Sequence, residues 1–471
     1  MIKRIAFILL LLSQHLAESQ NWGSVNGVLK KDFDLGNVEF VLTDSVHNEL
    51  IVSSKFFKSV NGKYVRGICR WNGTRWDSLA GGINTHDVIN INPGGMAMSS
   101  ISYQGKLLVG GMFQSVGGVN ATSLALWDGT KWDSLPKRAF RFTDEPVQVA
   151  GFYKHNNLLY IYGTFDTIAG QPCSGIATWD GNNFNPIVLP VSYVGGIKNV
   201  VYYKNQLYVA GGFYDPGIFY NHKRHILRYN GTKWDSVGVG ILGSFNTGLG
   251  SMLIYKNELY VGGHFLKADG NVGENVMKWD GNQWHDVGFE GEYIGGVRQL
   301  IIKDEKLYAV GAFNIAANHL ANHFAIYDGE RWCTTKDTLD APILSTAIYK
   351  DTLYIAGGFW SVSGDSTIHG IAKLLNDAPY RWCNPPLPTT PVTPLSVYPV
   401  PFNNYLTIDI PNNYSSNTTS IQITNSLGQV VTSQIALSYN VTINTSNLSS
   451  GMYYLTLQDG SHKKTVKIIK E

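Results

Sequence analysis

The sequence predicts an all-β protein: a seven-bladed β-propeller followed by a small C-terminal β-sandwich. Three observations carry that prediction. An apolar strand occurs seven times, stopped by glycine in six copies and by Ser53-Ser54 in a degraded one, most completely as Leu259-Tyr260-Val261-Gly262-Gly263-His264-Phe265. Its copies begin at Leu50, Leu107, Leu159, Leu207, Leu307 and Leu353. A Trp-Asp-Gly-x-x-Trp hairpin follows, as in Trp279-Asp280-Gly281-Asn282-Gln283-Trp284, with related turns at Asn72-Gly73, Asp128-Gly129, Asp180-Gly181, Asn230-Gly231 and Asp328-Gly329. Successive hairpin glycines are about fifty residues apart, the period of one four-stranded propeller blade.

Composition agrees with this. Charged residues make up 15% of the 471 and aromatics 12%, which suits sheets packed through rings and argues against disorder. A formal net charge of +2 gives no electrostatic case for nucleic acid or an anionic membrane as partner.

In chain order, residues 1–19 read as a secretory signal. Lys3 and Arg4 precede the apolar run Ile5 to Leu12, and Ala17-Glu18-Ser19 offers a small-x-small cleavage site. The run is too short to span a bilayer, and no later stretch is long enough for a membrane helix. No cysteine follows the cleavage site, which argues against a lipid anchor.

Residues 20–383 form the predicted propeller. In the fifth repeat, strand a covers about Ser251 to Tyr255, b Glu258 to Gly262, c Asn275 to Trp279 and d Gln283 to Val287. The a–b connections are tight polar turns such as Lys256-Asn257, and the c–d connections turn on Asp-Gly or Asn-Gly. Side-chain alternation puts Trp279 and Trp284 on one face, where neighbouring blades would meet. The last repeat has lost its hairpin: Asn376-Asp377-Ala378-Pro379 carries a proline that cannot donate to a ladder. Trp22-Gly23-Ser24-Val25 lines up with Trp234-Asp235-Ser236-Val237, so the N-terminal segment is expected to take that outer place and close the ring.

The b–c and d–a connections share the other end of the ring. They read as long and varied, as in Tyr214 to His225 and Pro136 to Glu145, and such loops on a rigid frame are where binding is housed. Aromatics placed there include Phe140, Phe142, Tyr193, Tyr214, Phe219, Tyr220, Phe245, Tyr293 and Trp360. Exposed rings stack on sugars or fill pockets of a protein partner. Tyr214, Tyr220, His222, His225 and Trp360 are the candidate ligand-binding residues. The pairs His222/His225 and His319/His323 have spacings that could share a metal, but in loops they read as solvated histidines. Asp144, Glu145, Asp215, Glu290 and Glu292 show no paired spacing. No catalytic residue, metal site or cofactor emerges.

Four cysteines, Cys69, Cys173, Cys333 and Cys383, allow three connectivities. In an exported protein they can be oxidised; Cys333 and Cys383 both follow tryptophan at equivalent repeat positions, which suggests separate blades rather than contact, so these two are not paired with each other.

Residues 384–394 are a stiff Pro-rich linker. Residues 395–471 alternate apolar and polar residues in short runs, such as Tyr405 to Ile410 and Tyr453 to Leu457, the pattern of a small sandwich.

The Gly-Gly and aromatic punctuation of the repeats resembles kelch and galactose-oxidase-like domains. Oxidases of that type use copper held by tyrosine and histidine, and no motif here identifies such ligands. The tail resembles the C-terminal sorting domain of type IX secretion substrates of Bacteroidota. The matching residues are Tyr398-Pro399-Val400-Pro401, with Val400 where the family has Asn; the turn at Gly428; Leu448-Ser449-Ser450-Gly451-Met452-Tyr453; and the basic end around Lys467. That resemblance implies export to the periplasm, passage through an outer-membrane translocon, and a sorting protease that removes the tail. The expected function is non-enzymatic binding of a glycan or protein at the cell surface or outside. A propeller enzyme acting on polysaccharide (lyase, hydrolase or copper oxidase) and a structural surface-layer component are the alternatives.

Overall fold

A computed structural model describes residues 21–25, 38–55, 57, 59–60, 63–84, 95–135, 147–191, 193–214, 225–242, 248–290, 295–317, 319–335, 337–375, 395–411, 419–436, 440–459 and 462–471. The expected signal and linker, and Cys383, lie outside them. The chain is all-β and divides into two compact units, Met1–Pro385 and Pro386–Glu471.

Among its described residues the first unit contains seven antiparallel sheets of four strands. Their first strands are Phe40–Asp44, Met96–Tyr103, Gln148–His155, Tyr193–Tyr203, Gly248–Tyr255, Val297–Lys303 and Ile343–Tyr349, in sheets one to seven. Sheet five shows the plan: Gly248–Tyr255 pairs with Glu258–His264, that with Val276–Trp279, and that with Trp284–Asp286. Sheet seven takes its fourth strand from the other end of the chain. Trp22, Gly23 and Ser24 pair antiparallel with Leu374, Lys373 and Ala372, as the alignment predicted. The Asp337 carboxylate accepts the Asn21 and Trp22 amides at 2.6 and 3.2 Å and fixes the start of that strand.

Each sheet is apolar on both faces, and each apolar cluster is shared by two consecutive sheets. One holds Ile51 and Ile68 with Val109 and Trp127, and another holds Tyr208 and Ala210 with Val261 and Trp279. The last and first sheets share a cluster too, with Tyr354 and Ala356 against Leu50 and Trp71. The first strands lie against one another in the same cyclic order, and Ser345 of sheet seven exchanges hydrogen bonds with the Val41 backbone of sheet one at 3.2–3.3 Å.

The repeated residues explain why the sheets stack. Trp279 and Trp284 face each other across strands c and d, with ring centroids 5.2 Å apart. Trp284 then donates its indole N–H to the Val237 carbonyl of the preceding sheet at 3.0 Å, and Trp132 and Trp332 do the same to Leu79 and Val287. At the a–b end, Lys256 lies over the Tyr255 ring and donates to the Asp328 carbonyl of the next sheet. Lys350 repeats this across the closure, from sheet seven to Asn72 of sheet one.

The two turn types differ in mechanism. In five of the a–b turns both central residues have positive φ, as in Lys256 (46°) and Asn257 (61°). In the c–d turns only the glycine does; the residue before it works through its side chain. The Asp128 carboxylate accepts the Thr130 and Lys131 amides at 2.9 Å, and Asn72 and Asn230 make the same bonds. The Lys131 and Thr130 amides hold the Asp128 carboxyl down at about 2, and equivalent amides lower Asp180. Asp280 is lowered by His285 first and then by the Gln283 and Asn282 amides. A native pKa below the unfolded one stabilises the fold above the unfolded value, about pH 4, and that contribution is lost as pH falls toward 2. The thermal midpoint is therefore expected to drop between about pH 4 and 2. Asp128→Asn and Asp180→Asn should fold normally and flatten that drop in a calorimetric pH series.

The glycine ending strand b has a packing reason. A Cβ on Gly263 would stand 2.2 Å from the Gly248 carbonyl oxygen, and one on Gly111 2.1 Å from that of Met96. The carbonyl is there because the first strand bulges opposite the glycine, between Leu249 and Ser251 in sheet five. Six of the seven first strands bulge at this position. Gly263→Ala is expected to cost about 1–3 kcal/mol in urea unfolding, since backbone, not a flexible side chain, must move.

The b–c connections are more regular than the sequence suggested. Six begin on a buried phenylalanine: Phe57, Phe113, Phe165, Phe265, Phe313 and Phe359. In several a two-residue hairpin follows, such as Ser115–Val116 with Val119–Asn120 and Thr167–Ile168 with Gln171–Pro172. The expectation of long, varied b–c loops is corrected there: Val116, Ile168 and Val362 are buried and join the apolar clusters between sheets.

Cys69 and Cys173 are free, buried thiols; burial pushes the first up, and the second up to about 12. Cys333 is disulfide-bonded, and with Cys69 and Cys173 free, Cys383 is the one cysteine left in the sequence, against the expectation that these two are not paired with each other. Repeat equivalence misled because the fourth strand of sheet seven is Trp22–Ser24, not the segment carrying Cys383.

The second unit contains a three-stranded sheet (Ser396–Tyr398, Tyr405–Asp409, Asn440–Asn444) and a four-stranded one (Ser420–Asn425, Val430–Ile435, Gly451–Asp459, His462–Lys470). Their apolar faces share one core that includes Phe402, Ile408, Ile423, Leu455 and Ile468.

Candidate functional site

Where the first strands bulge, the sheet can aim a side chain out of its regular alternation. The extra residues are Met98, Ala150, Lys198, Gly250, Arg298 and Leu344. All lie near the start of the first strand, at the end that carries the b–c and d–a connections. Two are cations and none is acidic. Lys198 and Arg298 are exposed, though each sits beside buried neighbours, Ile197 and Val297. Crowding by protein lowers the Lys198 pKa, and the Arg298 charge lowers it further. Neither side chain forms an ion pair among the described residues.

The residues after the bulges tie the first strands together. Asn199 donates to the Gly250 carbonyl at 3.2 Å. Gln299 donates to the Thr346 carbonyl at 3.0 Å and accepts the Thr346 amide at 2.9 Å. The bulged residues are thus held on a hydrogen-bonded frame.

Of the sequence-derived ligand residues, Trp360 is the best placed. Its side chain is 63% exposed, although Phe359 and Val362 beside it are buried. Asp340 accepts the Trp360 amide at 2.8 Å and the Ser361 hydroxyl at 3.0 Å, which fixes the backbone beneath the ring. Tyr214 ends the second strand of sheet four and pairs with Tyr193. That hairpin runs two residues past the position where its counterpart in sheet five stops, at His264. Tyr220 and His222 lie outside the described residues, as do Phe140, Phe142, Phe219, Phe245 and Tyr293.

His225 is corrected from a solvated loop histidine to a buried one, 3% exposed, with its Nδ1 3.2 Å from the Gly211 carbonyl oxygen. Its backbone carbonyl accepts the Gly211 amide at 3.0 Å. His323 occupies the equivalent place in sheet six and is also buried. Ser123 and Asn275 fill it elsewhere, so the position serves the fold. Among the described residues no group of three or more His, Cys, Asp or Glu is arranged to hold a metal.

Sequence spacing missed two features of this end. Lys267 reaches Asp286 at 2.7 Å and Glu290 at 3.6 Å, joining a b–c connection to a d–a connection. Burial opposes its charge, but Asp286, then Glu290 and Glu274, hold Lys267 above its ordinary pKa. The Lys198/Arg298 pair was also invisible, because the two residues are a hundred positions apart. The glycines opposite the bulges were the available signal.

In the tail, the opening motif is pinned to the last strand. Phe402 is buried, its amide donates to the Ile469 carbonyl at 2.9 Å, and Lys470 donates to Asn403 at 2.5 Å. Tyr398, Pro399, Val400 and Pro401 are exposed. Gly428 (φ 79°) closes a turn capped by Asn425, and Gly451 (φ 156°) opens its strand in a region closed to other residues. Tyr453 is buried with its hydroxyl donating to the Ser449 carbonyl at 2.8 Å, and Lys467 is exposed.

Among curated proteins none matches this chain. Solved structures it is similar to include PorZ, described as an essential bacterial surface component of the type-IX secretion system of Porphyromonas gingivalis. Identity there is 14% over 92% of this chain and 59% of that one, with a TM-score of 0.43; the chain spans 59% of that structure's length. A Trypanosoma rangeli sialidase is matched at 9% identity over 95% of this chain and 88% of that one, with a TM-score of 0.32. No described helix is long and apolar enough to cross a membrane. Residues 396–471 match the family model of the secretion system C-terminal sorting domain. The chain therefore carries a type IX C-terminal sorting domain, which directs secretion to the cell surface or the outside.

Proposed function

We propose that the chain is a non-enzymatic binding protein whose first unit, residues 20–383, is a closed seven-bladed propeller of the kelch or galactose-oxidase-like kind. A signal at 1–19 starts export, a stiff linker at 384–394 follows the ring, and a sorting protease removes the tail at 395–471. The ligand is a glycan or a surface protein, taken at the end with the b–c and d–a connections. Trp360 carries this reading. An indole left in water on a backbone held by Asp340, between two buried apolar neighbours, contributes little to the fold. A rigid exposed ring is what sugar stacking and protein hot spots use. The cyclic order of seven four-stranded sheets, completed by Trp22–Ser24, supports the propeller.

The test is a glycan-array and surface-protein screen of the mature chain, with bound glycans recovered and checked for cleavage. Saturable binding, weakened by Trp360→Ala and leaving the glycan intact, is the expected result. Cleaved or oxidised glycan would replace this reading with the enzyme.

A further inference from the structure

We propose that this end of the ring holds a binding site for an oxyanion, the carboxylate, sulfate or phosphate of an acidic ligand, built from Lys198 and Arg298 on either side of Gly250. The site deepens the binding reading above and rests on it.

Lys198 and Arg298 belong to sheets four and six, with sheet five between them. Each is the extra residue of a bulge, so neither is committed to the alternation that buries its neighbours. Their backbones meet at the first strand of sheet five: Asn199, next to Lys198, donates to the Gly250 carbonyl at 3.2 Å, and the Arg298 carbonyl lies against Gly250; the Arg298 charge lowers the Lys198 pKa in keeping with this. The residue between them is Gly250, where a Cβ would stand 2.5 Å from the Val297 and Arg298 carbonyl oxygens. That glycine brings the first strands of sheets five and six together and leaves the gap between the two cations without a side chain.

Two like charges held near each other without an ion-pair partner among the described residues raise the free energy of the empty site. An anion between them relieves that repulsion. The chemistry of the pair is complementary: a guanidinium offers a planar fork to two oxygens, and an ammonium offers a point charge to a third. Asn199 and Gln299 hold the backbone beside each cation, so the spacing is fixed before the ligand arrives. The group recognised is therefore a single oxyanion at the end of, or projecting from, a larger ligand.

The experiment is calorimetric titration of the full mature chain, in low-salt buffer, with galacturonate, sodium sulfate and sodium phosphate, and with glucose as the uncharged control. The three anions separate carboxylate from sulfate and phosphate as the source. Saturable binding of at least one anion is expected, weakened about tenfold or more by Lys198→Met and by Arg298→Met. Lys233→Met, on an outer turn, should leave it unchanged. A second measurement needs no variant: limited acylation of the native protein near neutral pH, read by peptide mass spectrometry. Lys198 should react faster than Lys233 and be protected by the bound anion. Undiminished binding in both variants, no binding of any anion, or acylation of Lys198 indifferent to anion would overturn the proposal. A neutral glycan bound on the array without any anion binding would sink this site and leave the broader binding reading standing.

Discussion

Trp22→Ala is expected to destabilise the first unit by about 3–5 kcal/mol, the range for emptying a buried tryptophan site. Trp22 is fully buried and meets the Phe324 ring edge-on, with centroids 4.9 Å apart. It sits in the cluster shared by sheets six and seven, with Tyr308, Val310 and Ile355. Beginning the mature chain at Val25 should do more. It removes the outer strand of sheet seven and leaves Ile371–Leu374 as an unpaired edge, a template for association. Urea unfolding of the point variant and light scattering of the truncated one measure the two effects. A truncated chain as stable and monodisperse as the intact one would show that the ring does not depend on its N-terminal strand.

Removing residues 396–471 is expected to abolish appearance at the cell surface and in the medium, with the first unit retained in the periplasm. The tail is a compact unit with its own core, so its loss leaves the seven clusters of the first unit intact. Immunoblots of periplasm, surface and medium measure it. A point variant separates address from folding. Lys467 is exposed, so Lys467→Ala should leave the sandwich stable, and reduced export of that variant would place Lys467 in the signal itself. Full export of the tail-less chain would remove the tail from the export account.

Much of the fold was legible because one local pattern repeats. Gly263 and its copies mark where a carbonyl of the first strand intrudes, and Trp279 with Trp284 marks the face buried against the preceding sheet. The missing hairpin of the last repeat pointed to Trp22, since an outer strand had to come from elsewhere. The b–c hairpins were missed because two-residue strands have no readable alternation; the phenylalanine opening each of them was the overlooked cue. His225 was misplaced because sequence showed its neighbours, not the glycine carbonyl it packs on. Lys198 and Arg298 could not be found by spacing at all. Their place depends on the stacking of sheets four to six and on bulges that glycine permits but does not announce.

Hydrogen–deuterium exchange of the mature chain, with and without the tightest-binding glycan or protein from the screen, tests the placement of binding most directly. The account predicts slowed exchange around Val194 to Asn199, Gly296 to Gln299 and Gly358 to Ser361, at the b–c and d–a end. The a–b turns, such as Lys256-Asn257 and Lys350-Asp351, should exchange at the same rate in both states. Protection confined to those turns would put the ligand on the opposite end of the ring and contradict the account.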